Sequence, residues 1–184
     1  MKFNESKIKG LYVVELQPLI DERGFFVRSY CDKALRRAGI TKSIKQINHS
    51  FTSKVGTIRG MHYQHLPHAE IKMVRCIAGE IFDVAIDLRK GSDTFLQWHG
   101  EYLSAGDFKI MVIPEGFAHG FQAIKKNTEV FYPTTASYTP RAEAGILFSD
   151  ESIGIEWPLR ATNVSDKDLK HIALTKEFKG INIK

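Results

Sequence analysis

Three segments of the chain concentrate residues suited to acid–base chemistry or to binding anions. Residues 59–64 read Arg-Gly-Met-His-Tyr-Gln, residues 114–120 read Pro-Glu-Gly-Phe-Ala-His-Gly, and Lys72 lies within an apolar run. A lysine buried without a partner is costly, so periodicity alone favours an exposed face for Lys72. An imidazole can accept a proton near neutral pH, although a lone histidine such as His62 is more often structural than catalytic.

Whether Arg59 and His62 act together depends on the strand that carries them. Successive side chains of a strand point to opposite faces, so regular alternation places these two residues on opposite sides of the sheet. Gly60 lies between them and permits a β-bulge, which would re-aim one of the two side chains. A shared site therefore requires a bulge at Gly60.

The segment that contains His119 also resembles a metal-binding pattern. Pro-x-Gly-x-x-His at 114–119 matches the second motif of the cupin barrels, in which the histidine is a metal ligand. The first cupin motif requires His-x-His followed by Glu, but residues 62–64 read His-Tyr-Gln, and Lys72 stands where a carboxylate is needed. A lysine ammonium repels a divalent cation, so we expect a cupin-shaped barrel without a metal or cofactor. A metal-dependent cupin enzyme is the alternative.

Asp168 has two interpretations. The run Ser-Asp-Lys-Asp at 165–168 fits a capping box, in which the Asp168 side chain reaches back to the backbone of Ser165. Considered alone, the segment favours this structural role over a catalytic one.

The elements that must position these residues are mainly strands. Runs with strand character are separated by turn signals at a spacing of ~8–12 residues, which is typical of an all-β sandwich or barrel. In the clearest strand, 81–88, the apolar residues share one face, whereas Asp83 and Asp87 lie on the other. Further candidate strands are 71–77, 109–113 and 129–132.

Helix is scarce in this sequence. Short helices are predicted at 32–38, before Gly39, and at 165–170, and the chain beyond the second helix is expected to be peripheral. The edge strands of a sheet have unpaired backbone groups, and domains of this size and strand content often limit their exposure by forming a jelly roll. The predicted fold is therefore all-β, a cupin-type antiparallel jelly-roll barrel with a few short peripheral helices, formed by residues 1–184 as a single domain.

Composition and charge narrow the range of partners. The 184 residues include 26 Lys and Arg against 21 Asp and Glu, which gives a net charge of +5, and the basic residues are dispersed. This distribution favours an anionic small molecule over nucleic acid. Cys31 and Cys76 form no disulfide framework, no signal peptide is recognised, and no apolar segment approaches ~18 residues. We therefore expect a cytoplasmic protein with no membrane partner.

Five segments become informative when they are taken together. They are Asp-Glu-Arg-Gly-Phe-Phe at 21–26, Arg-Gly-Met-His-Tyr-Gln at 59–64, Gly-Glu-Ile-Phe-Asp-Val-Ala-Ile-Asp-Leu-Arg-Lys-Gly-Ser at 79–92, Ile-Pro-Glu-Gly-Phe-Ala-His-Gly-Phe at 113–121 and Gly-Ile-Glu-Trp-Pro-Leu at 154–159. In this order and spacing they resemble the dTDP-4-dehydrorhamnose 3,5-epimerase family of nucleotide-sugar enzymes. The resemblance covers most of the chain, so it is far more specific than any single motif.

The resemblance implies roles for individual residues and a metal-free homodimer that acts on a nucleotide-linked keto-sugar. His62 resembles the family's proton-abstracting base and Asp168 its orienting carboxylate. Lys72 resembles the residue beside the sugar C4 oxygen, and Tyr132 the general acid. Tyr138 matches the aromatic residue that stacks on the nucleotide base. The remaining positions that match substrate contacts are Arg23, Gln46, Asn48, Arg59, His119, Glu143 and Lys167.

The chemistry implied by the resemblance is inversion at C3, at C5 or at both carbons of a 4-keto-6-deoxyhexose. Deprotonation at either carbon gives an enolate whose charge lies on the C4 oxygen, so the reaction needs a base, a cation and an acid. Arg23 and Arg59 suit a pyrophosphate, because guanidinium pairs bidentately with phosphate oxygens. A 3,4-keto isomerase on the same scaffold is the alternative within the enzyme class.

Four positions depart from the family pattern. Arg28 stands where the family usually has Glu, and this reverses the charge at a position expected to face the substrate. The other departures are Ile47 in place of Asp, Ile71 in place of Gly and Pro133 in place of Lys. These departures leave the nucleotide, the sugar and the number of inverted carbons open.

Overall fold

The computed structural model describes residues 1–183, which form two facing sheets and a separate hairpin. Sheet I has six antiparallel strands, which are, in spatial order, β1 (Lys2–Glu5), β2 (Tyr12–Glu15), β10 (Lys109–Ile113), β7 (Lys72–Ala78), β12 (Thr128–Thr134) and β5 (Gln46–Thr52). Sheet II has five antiparallel strands, which are β13 (Glu143–Gly145), β6 (Thr57–Gln64), β11 (Phe117–Ala123), β8 (Glu80–Asp87) and β9 (Trp98–Ser104).

The remaining elements are short and lie around these sheets. β14 (Asn163–Val164) pairs with β6 in parallel, and β3 (Leu19–Asp21) and β4 (Gly24–Phe26) form the separate hairpin. The helices are α1 (Asp32–Arg37) and α2 (Asp166–Leu169). The all-β jelly roll with short helices is thus confirmed. No helix within residues 1–183 is long and apolar enough to cross a membrane.

The main core lies between the two sheets, because the strands of both sheets alternate. Val74, Met111 and Val130 point inward from sheet I and pack against Ile81 and Ala85 of sheet II. All five side chains are fully removed from water. Burial of this kind stabilises a fold by roughly 25 cal/mol for each Å² of apolar surface. Polar residues on the inward face of a strand therefore lie inside the barrel.

The residues of β8 divide between two faces as predicted, and the face that carries Asp83 and Asp87 is the inner one. Asp83 and Asp87 are fully buried, because the odd-numbered residues of β8 face the barrel interior and both carboxylates have partners there. The apolar even-numbered face, with Phe82 and Val84, packs against side chains from the last third of the chain. Apolar and polar residues alternate on this strand, but the alternation does not separate core from solvent.

The expectation that the chain beyond α2 is peripheral was wrong. Ile181 is buried, and Leu174, Phe178 and Ile183 pack beside it on the outer face of sheet II. Ile181 also forms an isolated bridge with Arg89 just after β8. The last residues thus cover the apolar face of β8.

Candidate active site

A bulge in β6 brings Arg59 and His62 to the same side of sheet II. His62 lies opposite His119 of β11, but Arg59 lies opposite Phe121, so β6 has one more residue than β11 between the two pairs. Gly60 makes this possible, since its φ is +127° and a Cβ there would lie 2.5 Å from a backbone Cα of β11. The bulge expected at Gly60 is present, and both side chains line one cavity.

The carboxylate of Asp168 binds His62 rather than the Ser165 backbone. His62 Nε2 lies 2.6 Å from Asp168 Oδ1, and the amide of Gly60 donates to Oδ2 over 3.2 Å. Ser165 does cap α2, because its hydroxyl accepts from the Asp168 amide at 3.1 Å. Burial alone would raise the pKa of the Asp168 carboxyl, but the bonds from His62 and Gly60 outweigh burial and hold that pKa below its ordinary value. The preference for a purely structural Asp168 was therefore wrong.

Lys72 points into the barrel, which contradicts the exposed face expected from periodicity. It shares the inward face of β7 with Val74 and Cys76, and its side chain is only 11% exposed. Its ammonium donates to the His62 carbonyl over 3.4 Å and lies 3.5 Å from a carboxylate oxygen of Glu70. These partners stabilise a buried cation, which a count of neighbouring apolar residues cannot reveal.

Tyr132 reaches the same cavity from the opposite sheet. It lies on β12 beside Asn48 of β5, on the inward face that also carries Val130. Burial raises the pKa of the Tyr132 phenol, and the nearby Glu70 carboxylate raises it further. The phenol therefore keeps its proton at neutral pH and is available as a donor.

The cavity has two adjoining parts that share His62, Lys72 and Tyr132. One part has a volume of about 350 Å³ and the other about 270 Å³. His62 belongs to sheet II and Tyr132 to sheet I, so a ligand between them meets an imidazole on one wall and a phenol on the other. The remaining predicted site residues that line these parts are Arg59, His119, Lys167 and Asp168 in the first and Gln46, Asn48, Tyr138 and Glu143 in the second.

The second part ends in a connected polar network near the surface. The side chain of Gln46 donates to Asn48 over 2.7 Å and accepts from the Tyr138 amide over 2.9 Å. The Tyr138 hydroxyl donates to Glu143 over 2.7 Å, and Lys167 pairs with the same carboxylate. Because Tyr138 is 51% exposed, one face of its ring remains open to a ligand.

His119 is bound to a carboxylate in the position where the cupin motif places a metal ligand. Its Nε2 lies 2.7 Å from Asp83 Oδ1, and both side chains are buried. Burial raises the pKa of the Asp83 carboxyl, although His119 and Lys72 act in the opposite direction. His119 is thus held by a carboxylate from the neighbouring strand β8.

Two predicted or suspected substrate contacts lie outside the cavity of this chain. Arg23 is on the exposed β3–β4 hairpin, paired with Asp21 at 2.5 Å, and Arg28 lines a separate groove beside α1. Of the other departures, Ile47 and Pro133 are directly paired across β5 and β12 and line an apolar groove outside the barrel.

Sequence reasoning missed His171. Its ring packs edge-on against that of His62 at a centroid distance of 5.7 Å, and its Nε2 is 3.9 Å from Asp168 Oδ1. Burial lowers the pKa of His171, and the neighbouring His62 lowers it further. The position follows a helix end and belongs to no motif, so only the three-residue spacing from Asp168 could have drawn attention to it.

The fold and the site together define an acid–base enzyme built on a jelly-roll barrel. A family model described as dTDP-4-dehydrorhamnose 3,5-epimerase matches residues 5–176. The curated dTDP-4-dehydrorhamnose 3,5-epimerase of Shigella flexneri is 45% identical over 170 residues, which cover 92% of this chain and 93% of the relative. That of Pseudomonas aeruginosa is 44% identical over 91% of this chain and 93% of the relative.

Solved structures give the same result. The dTDP-4-dehydrorhamnose 3,5-epimerase of Bacillus anthracis, with TDP and PPi bound, is 39% identical with a TM-score of 0.91, over 94% of this chain and 99% of that one. A Legionella pneumophila 3,5-epimerase in complex with dTDP-4-keto-L-rhamnose is 36% identical with a TM-score of 0.92, over 100% and 98%. The chain belongs to the dTDP-4-dehydrorhamnose 3,5-epimerase family and is thereby an isomerase.

Proposed function

We propose that this protein inverts C3 and C5 of a dTDP-linked 4-keto-6-deoxyhexose through enolate intermediates. The observation that carries the proposal is the position of His62 and Tyr132 on opposite walls of one cavity, with Lys72 between the two sheets. Inversion requires that a proton leave one face of the ring and that another arrive on the opposite face, which a single residue does poorly. The ligands named for the Bacillus and Legionella relatives support the choice of nucleotide and sugar.

His62 acts as the base in this proposal. Because the Asp168 carboxyl is held ionised, it accepts from His62 Nε2, and the lone pair of the neutral ring lies on Nδ1. Nδ1 takes the proton from carbon, and the Asp168 carboxylate stabilises the imidazolium that forms. The electron pair of the broken carbon–hydrogen bond forms a double bond between that carbon and C4 of the sugar. The C4 carbonyl oxygen takes up the negative charge of the enolate.

Lys72 and Tyr132 complete the reaction. The Lys72 ammonium stabilises the negative charge on the C4 oxygen, and such electrostatic stabilisation is usually the largest single contribution to catalysis. Tyr132 then gives its proton to the carbon from the opposite face, and its phenolate is reprotonated from solvent. Since Lys72 supplies the positive charge, no step needs a metal, and dialysis against a chelator is expected to leave kcat unchanged.

The cavity residues beyond this centre are proposed to bind the rest of the substrate. Arg59 is held in place by Thr52 and by the Phe51 carbonyl at 3.1 Å and 3.0 Å, so its guanidinium is fixed at the cavity wall for a phosphate. The open face of Tyr138 suits stacking of the thymine base. The nearby polar side chains proposed to contact the substrate are Gln46, Asn48, His119, Glu143 and Lys167.

We also propose a homodimer. The outer face of sheet I exposes Ile47, Phe51 and Phe131, and the hairpin exposes Leu19 and Phe26. Large exposed apolar side chains grouped in this way are typical of protein interfaces. Light scattering on a sizing column is expected to give twice the mass of the chain, and a monomer at micromolar concentration would contradict this proposal.

Arg23 has a place in the proposed dimer. It lies on the exposed hairpin of one protomer, outside that protomer's own cavity, so it contacts substrate only if the hairpin reaches a second copy.

The free thiols of Cys31 and Cys76 support the proposal of a reducing, cytoplasmic location.

The direct test is incubation of the protein with a dTDP-linked 4-keto-6-deoxyhexose in D2O, followed by NMR of the product. We expect deuterium at both C3 and C5, together with inverted configuration at both carbons. Deuterium at one carbon only would restrict the activity to a single inversion. A product with the carbonyl moved to C3 would establish the keto isomerase instead, and the absence of any exchange would exclude both.

A further inference from the structure

Three donor atoms that are typical metal ligands converge beside the cavity. They are Nε2 of His62, Oδ1 of Asp168 and Nε2 of His171, and all lie within 4.8 Å of one another. The first two are 2.6 Å apart, and the carboxylate oxygen is 3.9 Å from the second histidine. Two imidazoles and one carboxylate form a ligand set suited to zinc and its neighbours in the transition series, and unsuited to Mg²⁺ or Ca²⁺. Lys72 and Lys167 line the same cavity and oppose a cation, but each of them is paired with a carboxylate, Glu70 and Glu143 respectively.

The fold holds His171 in this position through a glycine. A Cβ on Gly145 of β13 would lie 2.2 Å from His171 Nε2, so the ring packs over bare backbone. Within residues 1–183, that nitrogen is buried and has no hydrogen-bond partner. A buried imidazole nitrogen normally has a partner, so an unpaired one beside a histidine–carboxylate pair needs an explanation.

We propose that a zinc-class divalent ion binds His62, Asp168 and His171 and reversibly switches off the base. Bonds of about 2.0–2.1 Å in a tetrahedral site place the ligand atoms roughly 3.3 Å apart. The His62–Asp168 pair must therefore open and the Asp168–His171 pair must close, each by under ~1 Å. The two histidine nitrogens, which lie within 4.8 Å of each other, must close by at most about 1.5 Å. The fourth position is left to water from the cavity, which Asp168 itself lines.

The effect on His62 follows from counting ring protons, and this part rests on the proposed function. A neutral imidazole carries one ring proton, which His62 places on Nε2 toward Asp168. When the ion takes Nε2, that proton moves through water to Nδ1, the nitrogen that must accept the substrate proton. The ion thus turns the base into a donor, while the substrate contacts of Arg59 and Tyr138 remain. We expect kcat to fall and KM to stay constant.

The binding test uses Co²⁺ as a spectroscopic probe of the intact protein, with Zn²⁺ as competitor. Wild type is expected to bind one ion per chain and to show the intense visible bands of four-coordinate cobalt, which Zn²⁺ abolishes. His171→Asn is expected to weaken binding at least ~10-fold, since a ligand is lost. His65→Asn is the matched control, because it removes an exposed histidine just after β6 that lines neither part of the cavity. Equal affinity of wild type and His171→Asn would overturn the site.

The activity test separates this proposal from the proposed function. Zinc is expected to lower wild-type kcat at least ~10-fold with restoration by chelator, whereas the kcat of His171→Asn, measured against that variant's own zinc-free rate, is expected to be insensitive to zinc. Mg²⁺ is expected to have no effect on either protein. If His171-dependent binding occurs without inhibition, the switch is wrong and the metal site stands. If the protein has no epimerase activity at all, the cobalt spectra still decide whether the site exists.

Discussion

Two histidine–carboxylate pairs lie side by side on neighbouring strands of sheet II, and they differ in what their surroundings do to the carboxylate. His62 and His119 are directly opposite each other across β6 and β11, and each binds its partner through Nε2, at 2.6 Å and 2.7 Å. Asp168 receives further bonds that lower its pKa, whereas Asp83 is fully buried, has an unpaired Oδ2 and a raised pKa.

The two pairs also differ in how far each imidazole can be reached from the cavity. An ionised Asp168 compensates the charge of an imidazolium, and the 28% exposure of the His62 side chain lets that ring meet a substrate. The side chain of His119 is only 7% exposed, and its carboxylate partner is fully buried. Under the proposed function, the same two residue types form a base in one place and a fixed hydrogen-bonding group in the other.

The largest effect should come from removing the two histidines separately. His62→Asn is expected to lower kcat/KM by about 10⁴-fold, because the base is lost. His119→Asn is expected to cost about 10-fold, mainly in KM, as the loss of one hydrogen bond would. Steady-state kinetics on both variants measure this difference. Equal losses, or a larger loss for His119→Asn, would contradict the assignment of the base.

Replacing each of the two carboxylates tests the same comparison. Asp168→Asn is expected to lower kcat on the order of 10³-fold while leaving the melting temperature within a few degrees, because the amide favours the wrong tautomer of His62. Asp83→Asn is expected to change kcat by less than ~10-fold, since His119 keeps a partner of the same shape. If Asp168 serves only the helix end, Asp168→Asn will retain wild-type turnover.

A third prediction concerns the wall that faces His62. Tyr132→Phe is expected to reduce the inverted product about 10²-fold while exchange of substrate protons with D2O continues, because the base is intact and only the acid is lost. Tyr102→Phe, at a tyrosine that is 47% exposed outside the cavity, is the control. NMR of exchange and of inversion in the same sample tests this separation. Parallel loss of both signals would show that Tyr132 is not the second proton donor.

The smallest effect is expected in the pH dependence of the melting temperature between about pH 3 and 6. A carboxyl whose pKa is lowered by folding makes the folded state more stable as pH rises, and a raised pKa has the opposite effect. Asp168→Asn should therefore flatten the loss of melting temperature on acidification, and Asp83→Asn should steepen it. Thermal melts across this range measure both slopes. Two changes of the same sign would contradict the contrast between the pairs.

Much of the fold and of the site could be predicted from local sequence. Apolar runs and turn signals gave four of the strands, β7, β8, β10 and β12, to within a few residues, since strand period and turn chemistry are local properties. Gly60 predicted the bulge because few other residues tolerate a positive φ so close to a neighbouring strand. The resemblance supplied the residues that meet in the cavity.

The rest could not be predicted, because it depends on partners that are distant in sequence. Periodicity shows that residues of a strand share a face but not which face is buried. It therefore gave no burial for Asp83, and the exposed face expected for Lys72 was wrong. The interpretation of Asp168 failed for a related reason: a capping box describes four neighbouring residues, whereas its true partner is 106 residues away. His171 gave no signal, since its neighbours are set by Gly145 and by the end of α2.

That separation in sequence has a consequence for the protein as it is being made. Every strand of both main sheets except β14 is complete by Gly145, whereas Asp168 follows much later. A product of interrupted synthesis that ends between Gly145 and Asp168 therefore contains the strands that carry both walls of the cavity but lacks the partner of His62. Such a product also lacks Ile181 and its neighbours, which cover the apolar face of β8, so the end of the chain supplies both a site residue and part of the core.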